Sequence, residues 1–185
     1  MKTKHIFILF VLLALVQLCI PAQMIFNRES ILKQGIAYKF KTEPVDPSDP
    51  FKGKYIYLNY DLRNVEVGDK DWHRKQDVYI SIANDSLGFA KAVTASLEKP
   101  ESGDFVLAKA DWYSESTSEL RFSFPFNEFY MEESKAYDAE VAHRDAQRDS
   151  LPNNTYALVY IKDGEAVLEN VFINDIPIAT FVENE

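Results

Sequence analysis

The chain has 185 residues, a formal net charge of −9, 46% apolar residues and 14% aromatic residues. This length and apolar content are typical of one folded domain and exclude a disordered chain. Because the acidic charge is not interrupted by a basic stripe, nucleic acid is excluded as an expected partner. The single cysteine, Cys19, lies in an apolar N-terminal run, so the rest of the chain has no disulfide and no thiol chemistry.

The apolar N-terminal run is long enough to cross a membrane. Residues 6–26 carry no charged side chain, and 14 of these 21 residues are Ile, Leu, Val or Phe. As a helix the run would extend about 31 Å, which matches a bilayer hydrocarbon core of about 30 Å. We therefore predict an N-terminal transmembrane anchor in residues 1–26, which crosses the membrane through residues 6–26, and a β-rich domain in residues 27–185.

Charges around the run predict its orientation. Lys2 and Lys4 precede the run, whereas Arg28 after it is followed at once by Glu29. Because positive residues favour the cytoplasmic side, we expect a single-pass protein of the cytoplasmic (inner) membrane, with its N-terminus inside and its domain on the periplasmic, extracytoplasmic side. A cleaved signal peptide is the alternative, since residues 6–16 alone have the length of a signal-peptide core.

Short segments rich in β-branched and aromatic residues follow the run, separated by polar or Gly- and Pro-containing breaks. They predict nine strands: Ile36–Thr42, Tyr55–Leu62, Asp77–Ala83, Phe89–Leu97, Phe105–Trp112, Leu120–Phe124, Tyr156–Lys162, Ala166–Ile173 and Ile178–Val182. The loop at residues 84–88 and the Asp163-Gly164 pair predict hairpin turns, so neighbouring strands are expected to be antiparallel.

One segment has a helical pattern instead. Asn127–Arg148 contains no Pro or Gly, is rich in helix-forming residues and has apolar residues spaced along one face. The helix is expected to pack on the sheet or, alternatively, to bind a partner. The predicted fold is mainly β, a β-rich α+β domain with an antiparallel sandwich or barrel-like sheet and one long helix.

The stretch from Pro44 to Gly53 is the most constrained part of the sequence. Its three prolines fix their own φ angles and push the preceding residues toward extended conformations. Asp46 and Asp49 each precede a proline and are suited to accept backbone hydrogen bonds within the loop. Gly53 permits a turn of positive φ into the next strand. These features predict a stiff, non-helical loop.

The strand after this loop is expected to place its residues alternately on two faces. The better core face carries Ile56, Leu58 and Tyr60. Tyr55 and Tyr57 then lie on the other face, beside the loop and Lys52. Two interpretations are open: these side chains bind a ligand, or they attach the loop to the sheet.

The loop and the strand together resemble a known family. Residues 53–60 read Gly-Lys-Tyr-Ile-Tyr-Leu-Asn-Tyr, which resembles the G-D-Y-x-x-L-x-Y signature of the GDYXXLXY family, except that Lys54 replaces the aspartate. The Pro- and Asp-rich approach to this strand and the aromatic segment at residues 124–133 also resemble that family. The resemblance implies a membrane-anchored bacterial protein of a family of unknown function, often encoded beside multi-span membrane proteins.

No pattern in the chain specifies a reaction. After the apolar run the chain has only two histidines, His73 and His143, and no cysteine, and it has neither a phosphate-binding Gly-rich loop nor a Gly-x-Ser-x-Gly turn. We therefore expect no metal site and no cofactor, and we identify no catalytic residue.

Three functional hypotheses follow. The first is a non-enzymatic domain that binds or scaffolds a membrane protein, which the resemblance implies is a multi-span protein. The second is a binding module for a small molecule or a cell-envelope glycan, with contacts from Tyr55, Tyr57, Lys52, Trp72 and Trp112. The third is an envelope hydrolase whose catalytic residues are dispersed along the chain.

Overall fold

The computed structural model describes residues 3–43, 55–68, 72–130, 138–139, 141–142 and 155–183. The elements in these ranges are α1 (Thr3–Gln34), β1 (Ile36–Glu43), β2 (Tyr55–Tyr57), β3 (Asn59–Tyr60), β4 (Asn64–Glu66), β5 (Asp77–Asn84), β6 (Ala90–Ser96), β7 (Phe105–Ser114), β8 (Glu119–Ser123), β9 (Glu128–Tyr130), β10 (Thr155–Lys162), β11 (Glu165–Ile173), β12 (Ile176–Pro177) and α2 (Ile178–Glu183).

α1 contains the apolar run and continues beyond it. Its most apolar 18-residue window has a mean hydropathy of 2.5, and none of that window is buried. By length and composition this helix could cross a membrane. Near its end, Ile31 is 5% exposed and packs against the β-rich part of the protein. The helix therefore extends past residue 26 into contact with the strands.

The described strands form two five-stranded antiparallel sheets and a two-stranded ribbon. The first sheet has the order β12-β11-β10-β1-β3, the second has the order β4-β8-β7-β5-β6, and the ribbon pairs β2 with β9. β4 and β6, at opposite ends of the second sheet's order, also approach each other, so this sheet is nearly closed.

The two sheets are joined near the start of β7. The Leu107 amide donates to the carbonyl oxygen of Gly164, in the β10–β11 turn, at 3.0 Å. Tyr38 on β1 donates its hydroxyl to Asp104 Oδ2 at 2.6 Å. Burial, assisted by this hydrogen bond, raises the pKa of Tyr38 to about 12. These contacts hold the first sheet against the end of the second.

Strand alternation produces the core. Along β5, Val78, Ile80 and Ile82 are buried while the residues between them are more exposed. One end of the core is an aromatic cluster, defined by Phe40, Tyr60, Phe122, Phe124 and Phe126. Neighbouring ring centroids in the aromatic cluster lie 4.9–6.0 Å apart. Each such ring buries on the order of 150–250 Å², so this cluster is a major source of stability.

The mainly β, antiparallel prediction is confirmed. Eight of the nine predicted strand segments contain strands, and both predicted hairpin turns connect antiparallel neighbours. At Asp163 and Gly164 φ is 54° and 93°, which is the positive-φ pair that a tight two-residue hairpin turn requires. The second predicted segment divides at Leu58 into β2 and β3.

The strand predicted at Ile178–Val182 is wrong, because this segment is α2. Ile178, Phe181 and Val182 are spaced i, i+3 and i+4, and all three pack on the core along one helical face. Pro177 immediately before the helix has the fixed φ that suits a helix start. The β-branched composition indicated a strand, but the spacing was helical.

The helix predicted from Asn127 to Arg148 does not begin where expected. Residues 128–130 form β9 because their backbone pairs with β2, and this tertiary pairing overrides local helix propensity. Residues 138, 139, 141 and 142 are helical, and Ala139 and Ala142 are buried. The rest of the predicted helix lies outside the described residues. The two- and three-residue strands β4, β9 and β12 were not predicted.

Candidate functional site

The strand that carries the family-like signature, residues 55–60, is shared between the ribbon and the first sheet; we call it the motif strand. In β2, Tyr55 lies opposite Tyr130 of β9. In β3, the backbone pairs with the end of β1. Between the two, the Leu58 amide donates to the Asn127 carbonyl oxygen at 2.8 Å. Two segments far apart in the chain, both of which suggested the family, are therefore neighbours in space.

The inner face of the motif strand is buried. Ile56, Leu58 and Tyr60 are 3%, 1% and 4% exposed, which confirms the predicted core face. The Tyr60 hydroxyl donates to the Phe126 carbonyl oxygen at 2.6 Å. Burial raises the pKa of Tyr60 far above its ordinary value, so its hydroxyl stays a neutral donor. This face attaches the motif strand to the aromatic cluster.

The outer face of the motif strand borders a cleft of about 160 Å³, which we call the motif cleft. Tyr57 is 44% exposed there, and Asn127 Nδ2 donates to its hydroxyl oxygen at 3.0 Å. The rest of the polar lining includes Arg63, Asp111, Arg121 and Ser123. Cationic, anionic and amide groups therefore meet at one shallow surface.

A β-bulge in β7 shapes the opposite wall of the motif cleft. The register shifts between Ala110 and Trp112, so Asp111 is the extra residue, and Trp112 pairs with Arg121 of β8. Such a bulge re-aims side chains: Asp111 lines the cleft, and Trp112, which does not line it, is 62% exposed at the strand position opposite the lining residue Arg121. Ser123 Oγ donates to Asp111 Oδ1 at 3.3 Å.

The residues predicted as the binding or structural motif have different outcomes. Four of them lie outside the described residues: Asp46, Asp49, Lys52 and Gly53. Their position beside the motif strand stays a prediction. The backbone of Tyr55 belongs to β2. Tyr57 borders the motif cleft, whereas Leu58 and Tyr60 are buried beneath it.

Arg63, Asp111, Arg121 and Asn127 were not identified from the sequence. Alternation in β8, where Leu120 and Phe122 are buried, does place Arg121 on an outer face. Which outer-face residues share a cleft depends on the bulge in β7 and on the pairing of distant strands. No local sequence pattern encodes that arrangement.

The second candidate region is the helix junction, where α1 meets β10 and β11. Lys162 on β10 donates to Ser30 Oγ at 2.9 Å and to Gln34 Oε1 at 2.8 Å. Gly35 follows α1, and a Cβ at this position would lie 2.5 Å from the Ile31 carbonyl oxygen and 2.9 Å from a carbonyl oxygen of β10. The close approach requires glycine, and the helix is fixed on the sheet.

A cleft of about 380 Å³ lies beside the helix junction; we call it the junction cleft. Its apolar lining includes Ile31, Leu107, Phe124, Pro125 and Val167, and its charged lining is Arg28, Asp77, Lys109 and Glu165. Lys109 is ion-paired with Asp77. Among the ion pairs of the described residues, none involves Arg28. The junction cleft thus combines an apolar wall with charges of both signs.

A third polar group lies on the first sheet and is internally satisfied. Asp175 Oδ1 accepts a hydrogen bond from the Tyr156 hydroxyl at 2.7 Å and lies 3.3 Å from Lys39 Nζ. The Tyr156 hydrogen bond, followed by the Lys39 contact, lowers the pKa of Asp175. Within the described ranges, no three His, Cys, Asp or Glu side chains are grouped to hold a metal ion.

Comparison with known proteins gives a family. The family model described as GDYXXLXY protein matches residues 17–171. This range starts in the apolar run and includes the motif strand, β9 and the residues that line both clefts. No curated protein and no solved structure matches the chain. The chain belongs to the GDYXXLXY protein family.

Proposed function

We propose that residues 6–26 anchor this protein in the cytoplasmic membrane and that its β-rich domain, on the periplasmic side, binds a multi-span membrane protein. The observation that carries the proposal is the fixed attachment of the apolar helix to the domain. A tether needs no defined angle between helix and domain, whereas a domain that docks beside a membrane partner benefits from one.

The exposed surface of α1 supports the anchor. Large apolar side chains such as Phe7, Phe10 and Phe26 are 65–72% exposed along the helix. Contiguous apolar surface of this extent is unfavourable in water and favourable in a bilayer. The family match begins at residue 17, inside the apolar run, so the region that matches the family includes part of the proposed anchor.

The helix junction supports a defined position of the domain over the membrane. Ile31 lies five residues beyond Phe26, which corresponds to about 8 Å of helical rise. The polar head-group layer adds roughly 5–8 Å on each side of the hydrocarbon core. With residues 6–26 in that core, the junction cleft therefore opens at the outer edge of the head groups, where the loops of a membrane protein emerge.

Site-specific photo-crosslinking in intact cells tests the partner. A photoreactive residue in place of Leu107, at the junction cleft, should give a discrete crosslinked species that contains a multi-span membrane protein. Val93 on β6 is more exposed than Leu107, at 55% against 38%, and lines neither cleft, so the same residue at Val93 is the control and should give none.

Equal crosslinking at both positions, or none at Leu107, would count against partner binding at this face. The topology has its own measurement: in a Cys19→Ser background, Val93→Cys should react with a membrane-impermeant maleimide added to cells with a permeabilised outer membrane. Protection until the inner membrane is opened would contradict the periplasmic placement.

A further inference from the structure

The motif cleft and its rim form a second surface, separate from the junction cleft at which the membrane partner is proposed to bind. We propose that the motif cleft binds an acidic saccharide, with a sugar ring stacked on Trp112 and the sugar's carboxylate or phosphate held by Arg121. This proposal does not depend on the anchor or on the membrane partner.

The bulge in β7 supplies the stacking surface. Because Asp111 is inserted, Trp112 lies outward opposite Arg121 and is 62% exposed. More than half of Trp112 is therefore in contact with solvent, and the face of its ring attracts the partially positive C–H groups of a pyranose ring. On the neighbouring motif strand, Tyr57 is 44% exposed and lines the same cleft as Arg121.

The charges of the motif cleft favour an anion. Its lining includes the cation Arg121, whereas its anion Asp111 already accepts a hydrogen bond from Ser123. None of the ion pairs among the described residues involves Arg121. Its planar guanidinium can bind a carboxylate or a phosphate through two parallel hydrogen bonds.

The remaining polar groups are oriented for hydroxyl groups. Because the side-chain amide of Asn127 donates to the Tyr57 oxygen, the Tyr57 proton is available as a donor and Asn127 Oδ1 as an acceptor. Asp111 accepts from Ser123 through one oxygen, which leaves its other oxygen as an acceptor for the sugar.

The size of the motif cleft limits its occupant. Its volume of about 160 Å³ is below the roughly 300–1,000 Å³ of sites that enclose drug-sized molecules. One sugar ring with its acidic group is a suitable size for a site bordered by Arg121 and Trp112, and further rings of a glycan would lie on the open surface outside it. The class of ligand is therefore a sugar that carries one negative group at the bound ring.

Calorimetric and fluorescence titration of the full chain in detergent tests the proposal. Trigalacturonic acid supplies a carboxylate, galactose 6-phosphate supplies a phosphate, and methyl-esterified trigalacturonic acid is the neutral match. We expect binding of at least one acidic probe, at least tenfold weaker binding of the neutral probe, and quenching of Trp112. The preferred acidic probe identifies which acidic group the site takes.

Two substitutions should remove this binding. Trp112→Ala and Arg121→Gln are each expected to weaken it at least tenfold, whereas Trp112→Phe, which keeps a ring, should weaken it less than threefold. Lys91→Gln on β6 removes one positive charge outside the cleft and should leave binding unchanged. The side chains of Trp112 and Arg121 are exposed, so unchanged thermal unfolding would confirm that the variants remain folded.

Four results would overturn the proposal. The first three are no binding of either acidic probe, equal binding of the neutral ester, and acidic-probe binding that survives both substitutions. The fourth is inorganic phosphate that binds as tightly as the sugar probes, because the site would then recognise an anion alone. None of these results would alter the crosslinking expected at Leu107.

Discussion

The two faces of the motif strand differ although they belong to the same short segment. On the inner face, Leu58 and Tyr60 are 1% and 4% exposed, and Tyr60 is hydrogen-bonded within the aromatic cluster. On the outer face, Tyr57 is 44% exposed at the motif cleft. Leu58 and Tyr60 are signature letters of G-D-Y-x-x-L-x-Y, whereas Tyr57 occupies an unspecified position.

This difference indicates what the signature encodes. Leu58 and Tyr60 fix the strand between the ribbon and the first sheet. Tyr57 and Asn59, which line the motif cleft together with Leu58 and Tyr60, occupy positions at which the signature accepts any residue. Leu58 and Tyr60 are thus signature residues that build the domain, whereas the signature leaves Tyr57 and Asn59 to the individual chain.

The largest expected effect comes from removing the inner-face tyrosine. Tyr60→Ala should lower the free energy of unfolding by about 3–5 kcal/mol, because a buried ring in contact with Phe40 and Phe126 is replaced by a cavity. Denaturant unfolding of the full chain in detergent, followed by tryptophan fluorescence, measures the loss. A loss below about 1 kcal/mol would show that the aromatic cluster repacks and that the signature's last tyrosine is not essential to the fold.

A smaller effect is expected when the ring is kept and the hydroxyl removed. Tyr60→Phe should cost about 1–2 kcal/mol at neutral pH, because the Phe126 carbonyl oxygen loses its buried donor. Burial raises the pKa of Tyr60 in the folded protein, whereas the unfolded chain ionises near pH 10. The contribution of Tyr60 to stability is therefore complete below about pH 10 and decreases as the pH rises above it.

The difference in unfolding free energy between the Tyr60→Phe variant and the parent isolates the contribution of Tyr60 from those of the other nine tyrosines in the chain. Unfolding free energies measured at pH 7, 9, 10 and 11 should converge for the Tyr60→Phe variant and the parent above about pH 10. A constant difference across this range would mean that the Tyr60 hydroxyl ionises normally in the folded state, which would contradict its burial.

The inner face of the motif strand could be predicted from the sequence, whereas the cleft on its outer face could not. Burial has a period of two along a strand, so Ile56, Leu58 and Tyr60 could be identified as the core face from local pattern alone. The motif cleft instead depends on β8 lying between β4 and β7, and on one inserted residue at Asp111. Such long-range pairing has no local signal.

The same distinction explains the errors in secondary structure. Residues 128–130 became a strand because β2 lies beside them, although the surrounding sequence favours a helix. For α2 the helical spacing of Ile178, Phe181 and Val182 was present but was outweighed by β-branched composition. The helix junction shows a third case: Gly35 is visible in the sequence, but its contact with the β10 carbonyl oxygen is not.

The smallest stability effect is expected at the outer face, with Tyr57→Ala. The ring is partly exposed, and Asn127 can exchange its lost partner for water, so the free energy of unfolding should change by less than about 1 kcal/mol. The same denaturant titration as for Tyr60→Ala provides the comparison, with Ile56→Ala as an inner-face control that should cost about 2–5 kcal/mol. If Tyr57→Ala destabilises the protein as much as either inner-face change, then both faces of the strand support the fold, and the motif cleft is a by-product of packing.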